Sequence, residues 1–389
     1  MEKADQSVIT QGILCHILKY LRRLKALALP KQCNDSVIAV VGQNCPNLES
    51  IVLNNTGVSN TGIAWLLCCR HLHTVIMLKT EVSPPGAALL LHGLPYLSVL
   101  LYDSIADTLW YCSVNAAVSP KFNLKTVAFG ATDLLSPGHL ELLSQMCPAV
   151  EWLSLNSAFT YTVQTLGFLP SLTLLSVNFR GESFDNHFED FLQRNGMTIK
   201  CLHLVEVSDI DWVGFEKLFI NCPLLESLVL YECSFARLEL AEHVCLFRKN
   251  IKLSRLKNLQ IFRTPLRTHQ LEHLTSILPD LNRIEIDHLD WDIEKIRRLL
   301  ISQENLNILR VINWWPNNHG AGLVTDQSTS SRNNRCVNLK LQLEFPSRIV
   351  QLDGQFTGTA PYLRGSPQFL LAEYGDLSPL FDIARFGRY

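Results

Sequence analysis

The chain has 389 residues, of which 47% are hydrophobic and 18% are charged, and its formal net charge at pH 7 is -2. A chain with this many apolar residues can bury a sizeable core, which excludes a disordered or coiled-coil protein. The nearly neutral charge argues against a general electrostatic attraction to nucleic acid or to a membrane.

The amino-terminal segment carries no targeting signal that we recognise. Residues 1–7 are polar and mixed in charge, unlike a secretory signal peptide. The most apolar stretch, 86–102, is interrupted by His92, Gly93 and Pro95, so it is too broken to span a bilayer. Twelve cysteines without a secretion signal favour reduced thiols and a cytoplasmic or nuclear location.

An apolar signature of the form L-x-x-L-x-L recurs along most of the chain, at intervals of 22 to 31 residues. This period is typical of leucine-rich repeats. A degenerate further copy lies at residues 339–343. The twelve clear copies begin at Leu24, Leu48, Leu72, Leu97, Leu124, Val150, Leu172, Ile199, Leu225, Leu256, Leu281 and Leu306.

The signature predicts a strand and a helix in every repeat. Alternate residues of a short strand point inward, and their neighbours face out on the concave side. The segment 62–69 that follows one strand has helical spacing and returns the chain along the convex side. We therefore expect an α/β fold, a leucine-rich-repeat solenoid over 1–312 in which a right-handed strand-helix horseshoe contains about 12–13 repeats.

Four cysteines occupy one position of the repeat. Cys45, Cys69, Cys147 and Cys222 each lie three residues before the first apolar consensus position. Recurrence at one position favours buried packing of the thiol over chemistry. No C-x-x-C spacing occurs, which removes the usual zinc and dithiol patterns, and we predict no metal and no cofactor.

One repeat carries a more specific pattern. Residues 222–233 fit C-x2-L-x2-L-x-L-x2-C at every fixed position, and Cys33 leads through a helix into Cys45. This resembles the cysteine-containing repeats of the F-box/LRR proteins, which are substrate receptors of SCF-type ubiquitin ligases. The resemblance is close over 24–78 and 222–233 and looser elsewhere. It implies a non-enzymatic protein that binds the substrate on its horseshoe.

The resemblance does not extend to the F-box. Residues 13–21 are similar to its first helix, but Gly12 and Ile13 align equally with Gly62 and Ile63, which open an ordinary repeat helix. A ligase adaptor and a cullin are therefore expected partners only if an F-box lies upstream of Met1. The alternative is a stand-alone scaffold or inhibitor of the ribonuclease-inhibitor type.

The carboxyl-terminal part departs from the repeat. We interpret 313–345 as a loop and a degenerate last repeat, with Trp314 and Trp315 as an end-capping plug, and 346–389 as an irregular tail. Residues 369–371 and 377–386 are apolar enough to pack back on the last repeat.

Patterns for catalysis are absent from the sequence. No metalloprotease, phosphate-loop, dinucleotide or nucleophile-elbow motif is present. His269 and His273 have helical spacing but no third ligand nearby, and the carboxylates from Asp287 to Asp292 lie where aspartate caps helices. We predict no catalytic residues and no enzymatic activity.

A protein partner is expected on the concave face, whose central row turns from apolar to charged along the chain. Seven basic residues and no acidic one lie between His243 and Leu271, which indicates either a solvated insertion or a docking patch for an acidic segment or phosphate. Aromatic residues and arginine dominate interface energies. The predicted partner-binding residues are Val52, Ile76, Trp152, His203, Tyr231, Lys257, Phe262, Arg263, Arg283 and Arg310.

Overall fold

The computed structural model describes residues 11–129, 135–156, 160–235, 255–264, 271, 274–278, 280–287, 306, 308–312, 340–345 and 348–352. These residues fall into two compact units that divide between Val177 and Asn178. A short strand followed by a helix is the recurring element of each unit, as the sequence predicted. His269, His273, Asp290, Asp292, Trp314 and Trp315 lie outside the described residues.

In the first unit, parallel strands lie side by side in chain order and alternate with helices. Its strands are β1 (Ala26–Ala28), β2 (Ser50–Val52), β3 (Thr74–Ile76), β4 (Val99–Leu101), β5 (Thr126–Phe129), β6 (Trp152–Asn156) and β7 (Leu174–Asn178, whose last residue belongs to the second unit). Its helices are α1 (11–18), α2 (Asp35–Asn44), α3 (Asn60–Leu66), α4 (Pro84–Gly93), α5 (Ile105–Asn115), α6 (Pro137–Met146) and α7 (Thr160–Gln164).

The second unit continues the pattern and ends in a hairpin. Its strands are β8 (Cys201–Val205), β9 (Ser227–Tyr231), β10 (Asn258–Phe262), β11 (Arg283–Asp287), β12 (Ile308–Ile312), β13 (Lys340–Phe345) and β14 (Arg348–Leu352). Its described helices include α8 (Asn186–Asn195) and α9 (Trp212–Asn221). Strands β8 to β13 are parallel, and β14 runs antiparallel to β13.

The last two strands refine the predicted carboxyl-terminal part. Strand β13 begins at Lys340, within the degenerate repeat expected at 339–343, and pairs with β12 in the common register, with Leu341 opposite Leu309. Residues 348–352 were assigned to an irregular tail, whereas the structure pairs them with β13 as β14. The reversal of direction has a local cause, since only residues 346 and 347 separate the two strands and a parallel crossover needs a far longer connection.

A shared backbone carbonyl fixes the register at the start of most strands. The carbonyl of Lys25 accepts hydrogen bonds from the N–H groups of Glu49 and Ser50, at 2.7 and 2.9 Å. In the second unit the carbonyl of Lys200 accepts from Glu226 and Ser227 in the same way, at 2.7 and 3.0 Å. Because the same two bonds recur from repeat to repeat, equivalent side chains stack in straight columns across the strands.

The inward columns form the core. Within the first unit, Ile51, Val75, Leu100, Val127 and Leu153 are fully buried beneath the helices. The corresponding column of the second unit is also fully buried and consists of Leu202, Leu228, Leu259 and Ile284. Each apolar column is covered only when the next repeat is in place, so neighbouring repeats stabilise one another. This confirms the alternation that the signature predicted.

Polar side chains link the starts of neighbouring helices. The carboxylate of Asp35, at the start of α2, accepts a 2.7 Å hydrogen bond from the N–H of Ser59, which is the N-cap of α3. Asn60 repeats this contact one unit on, because its side-chain oxygen accepts from the N–H of Ser83 at 2.9 Å. The start of α3 is thus held by a side chain from the preceding repeat as well as by its own cap, and the start of α4 is held by a side chain from the preceding repeat.

Close packing of α2 against α3 depends on Gly42. A β-carbon at this position would fall inside van der Waals contact with the backbone oxygen of Trp65, which cannot move independently of its helix. We expect Gly42→Ala to lower the free energy of unfolding by about 1–3 kcal/mol. Gly12→Ala in α1 is the control, since nothing lies within 4 Å of its added methyl group. It should raise stability by up to about 1 kcal/mol in urea denaturation, and equal losses for both variants would contradict this packing.

The four cysteines of the repeat are buried, as predicted. Cys45, Cys147 and Cys222 are the C-cap residues of α2, α6 and α9, and each donates its backbone N–H to the carbonyl four residues earlier. The thiol of Cys69 donates to the carbonyl of Cys45 at 3.4 Å, so it also links two repeats. Burial raises the pKa of the Cys69, Cys147 and Cys222 thiols to about 12.

Alkylation of the native protein should therefore discriminate between adjacent cysteines. A rise in pKa from 9 to about 12 lowers the thiolate fraction about a thousandfold, and burial blocks access as well. We expect iodoacetamide at pH 8 to modify the exposed Cys68 rapidly and to leave Cys69, Cys147 and Cys222 unmodified until urea is added. Peptide mass spectrometry reads out each site. Rapid modification of Cys147 in the folded chain would show that its packing is not as described.

The described helices contain no segment that is both long enough and apolar enough to cross a membrane.

Candidate functional site

The outward face of the strands, which we call the strand face, carries three columns of side chains. The central column contains the residue between the second and third consensus positions, and the flanking columns lie two residues before and after it. In the first unit the central column includes Val52, Ile76, Leu101 and Ala128. In the second unit it is His203, Val229, Gln260, Glu285 and Arg310.

The strand face of the first unit contains a compact apolar group. Its members are Ile76, Leu101, Ala128 and Trp152, and we call it the strand-face cluster. All four are buried, with 3%, 0%, 4% and 7% of their surface exposed. The half-buried hydrophobic residues packed against the cluster also come from the strand side, namely Val52, Leu78, Val99 and Leu174.

Leu101 and Ala128 are the members of the cluster that were not among the predicted binding residues. The repeat of Leu101 has Tyr102 where the third consensus position expects leucine. The structure explains the exchange, because the Tyr102 side chain is buried and its hydroxyl donates to the carbonyl of Val82 at 2.7 Å. An aromatic residue with a hydrogen-bonded hydroxyl can thus replace an inward leucine.

The central column of the second unit contains polar residues that are about as buried as the strand-face cluster. His203, Gln260 and Glu285 are 8%, 5% and 1% exposed, and Val229 lies between the first two. Desolvation lowers the pKa of His203 to about 4, so its imidazole is neutral at physiological pH. The side-chain oxygen of Gln260 has no hydrogen-bond partner among the described residues.

Glu285 is neutralised by its neighbour on the same strand. The guanidinium of Arg283 donates from Nε to a carboxylate oxygen of Glu285 at 2.5 Å and forms an ion pair with it. Only 16% of the Arg283 side chain is exposed. Arg310 lies directly opposite Glu285 in the register of β12. The pairing allows a carboxylate to be buried on this face.

Beside this column, aromatic and charged groups form a second arrangement. Tyr231 and Phe262 are register partners on β9 and β10, and both are half-buried. The guanidinium carbon of Arg263 lies 5.5 Å from the Tyr231 ring centroid, and its Nη1 donates to a Glu232 carboxylate oxygen at 2.8 Å. We call Tyr231, Glu232, Phe262 and Arg263 the aromatic-arginine group.

The backbone holds the two charged members in place. Glu232 and Arg263 both have left-handed φ angles, 52° and 48°, directly after their strands. Asn55, Lys79 and Glu206 adopt this conformation at the equivalent position of other repeats. A left-handed residue ends the extended backbone of the strand.

The predicted binding residues therefore differ in accessibility. The buried residues are Ile76, Trp152 and His203. The half-buried residues are Val52, Tyr231, Phe262 and Arg283, and the exposed ones are Lys257 and Arg263. The side chain of Arg310 lies outside the description, as do Arg248, Lys249, Lys252 and Arg267 of the basic stretch.

Within the described ranges, no group of three or more histidine, cysteine, aspartate or glutamate side chains is placed to hold a metal ion. The buried thiols have raised pKa values, which is the opposite of what a nucleophilic cysteine needs. The arrangement is suited to contact with another macromolecule through a broad surface.

Comparison with known proteins finds only distant structural similarity. No protein-family model matches it, and no curated protein does. Among solved structures it is similar to yeast Rad7 in complex with Elc1, with 14% identity over 77% of this chain and 79% of that chain and a TM-score of 0.40. It is also similar to an internalin, InlF, from Listeria monocytogenes, with 13% identity over 71% and 94% and a TM-score of 0.34.

The strand-helix periodicity, the in-register parallel strands and the inward leucine columns identify the fold directly. It is that of a leucine-rich-repeat solenoid.

Proposed function

We propose that the chain is a non-enzymatic binding protein that holds a protein partner on the strand face of its second unit. The observation that carries this proposal is the aromatic-arginine group. Two aromatic rings stand side by side on adjacent strands, and an arginine over one of them is fixed by a carboxylate. Large amphipathic rings and arginine supply most of the binding energy at interfaces, and prior ordering lowers the entropy cost of association.

The chemistry of this face favours a partner with both apolar and charged groups. Tyr231 and Phe262 offer apolar surface, and Arg263 lies beside them with its charge paired to Glu232. Lys257 adds exposed positive charge just before the start of β10. An acidic segment with an apolar anchor would satisfy both features.

A finer proposal is that the chain is the substrate-recognition part of an SCF-type ubiquitin ligase. What supports it is the cysteine-containing repeat at 222–233, in which Cys222 and Cys233 are both buried. The alternative is a stand-alone scaffold or inhibitor, which would need only this binding surface.

Affinity capture of the tagged full chain tests these proposals together. We expect a specific partner to be recovered by the wild type and to be lost with the double variant Tyr231→Ala/Phe262→Ala. Additional recovery of an adaptor and a cullin supports the ligase role, whereas a single stoichiometric partner without them supports the scaffold role. Equal recovery of all proteins by the double variant would remove the strand-face proposal.

A further inference from the structure

The burial of the strand-face cluster requires a cover. Helices occupy the inward side of the strands, where Val75, Leu100 and Val127 are fully buried. Leu101 and Ala128 point to the opposite side, which an open repeat array leaves to solvent, yet they are only 0% and 4% exposed. The described hydrophobic residues packed against the cluster belong to the strand side itself. Such residues fill the gaps between columns but do not lie above them.

We propose that the carboxyl-terminal segment 367–389 of this chain occupies the strand-face cluster of the first unit as an extended apolar strap. The proposal goes beyond partner binding on the second unit and does not depend on it. It also differs from the sequence expectation, which directed this segment to the last repeat.

The composition of this segment is suited to an apolar contact. Residues 313–339 include the polar run 326–334, which has nothing to bury in an apolar cluster. By contrast, Leu377, Pro379, Phe381 and Ile383 alternate along the sequence, so an extended chain places all four on one face. Asp382 and Arg385 are the only charged residues between Leu377 and Phe386, and their charges cancel.

The lengths are compatible. Four adjacent strands, β3 to β6, span roughly 15 Å at the usual spacing of about 4.8 Å. Residues 377–383 in extended form span roughly 20 Å, which is enough to cross all four strands. The 24 residues 353–376 that connect this segment to β14 can extend to roughly 80 Å.

Photo-crosslinking of the full chain tests the proposal. We would replace Phe381 with p-benzoylphenylalanine, irradiate the dilute protein and map the products by mass spectrometry. The expected products are intramolecular links to Ile76, Leu101, Ala128 or Trp152. Links confined to the second unit, links between two copies of the chain, or no links at all would each overturn the proposal.

Substitutions in the strand-face cluster and in segment 367–389 test the proposed contact from both of its partners. With the same reporter at position 381, Ala128→Glu should lower the crosslink yield about tenfold or more, because it places an unpaired carboxylate in the apolar contact. Ser176→Glu, in the same column outside the cluster, is the matched control and should change the yield less than about twofold.

A second pair of substitutions lies in segment 367–389 and changes no residue of the repeats. Ile383→Asp should lower the yield as Ala128→Glu does, and Ala384→Asp, on the opposite face of an extended chain, should not. If Ile383→Asp left the yield unchanged, the segment would not be the cover. None of these outcomes depends on whether affinity capture recovers a protein partner on the second unit.

Discussion

Replacing Phe188 with alanine is expected to lower the free energy of unfolding by about 3–5 kcal/mol, the largest effect that we predict for a single substitution. Phe188 is fully buried in α8 of the second unit. Its ring contacts those of Phe179 and Phe184 edge-on, with centroids 4.9 and 5.1 Å apart, and stacks on Phe191 at 5.8 Å. Removal of the ring leaves a cavity among rigid aromatic neighbours, which cannot collapse to fill it.

An exposed phenylalanine provides the matched control. Phe168 has 60% of its surface exposed, so Phe168→Ala should change the stability by less than about 0.5 kcal/mol. Urea denaturation monitored by circular dichroism measures both variants under the same conditions. Similar losses for the two substitutions would mean that the aromatic group around α8 is not a rigid core.

Acidification should destabilise the second unit through His203. Burial lowers the pKa of this imidazole from 6.5 to about 4, so between these values the unfolded chain binds a proton that the folded chain does not. Stability attributable to His203 is therefore complete above pH 6.5 and is lost as the pH falls toward 4. The full difference corresponds to about 3 kcal/mol.

A variant without the titrating group isolates this contribution. His203→Gln keeps a polar side chain of similar length and removes the proton equilibrium. Urea midpoints measured at pH 7.5 and pH 4.5 should differ by less in the variant than in the wild type, whatever the starting stability of each. Identical pH dependence in the two proteins would show that His203 is not desolvated.

Much of the fold could be predicted because every repeat has the same spacing of apolar residues. An apolar residue at Leu48, Ile51 and Leu53 has to point inward if one face of the strand is buried, and the same spacing recurs with the same consequence. Burial of Cys45 and Cys147 followed from their fixed place in the repeat. Short-range patterns of this kind need no knowledge of distant contacts.

The properties of the candidate site were less predictable, since they depend on what packs above and beside each residue. Outward positions such as Ile76 and His203 have the same place in their repeats as half-buried Val52, yet they are buried. Gly12 and Gly42 look alike in the sequence, and only the approach of α3 distinguishes them. The cation-π contact of Arg263 with Tyr231 joins residues 32 positions apart, which no local pattern reports.

Titration of the purified partner shows most directly whether the strand face of the second unit binds it. Tyr231→Ala/Phe262→Ala should raise the Kd at least about tenfold. Trp110→Ala, which removes a 53% exposed aromatic side chain from helix α5, should leave the Kd within about twofold of the wild-type value. An unchanged Kd for the strand-face variant, together with weaker binding by Trp110→Ala, would contradict the claim.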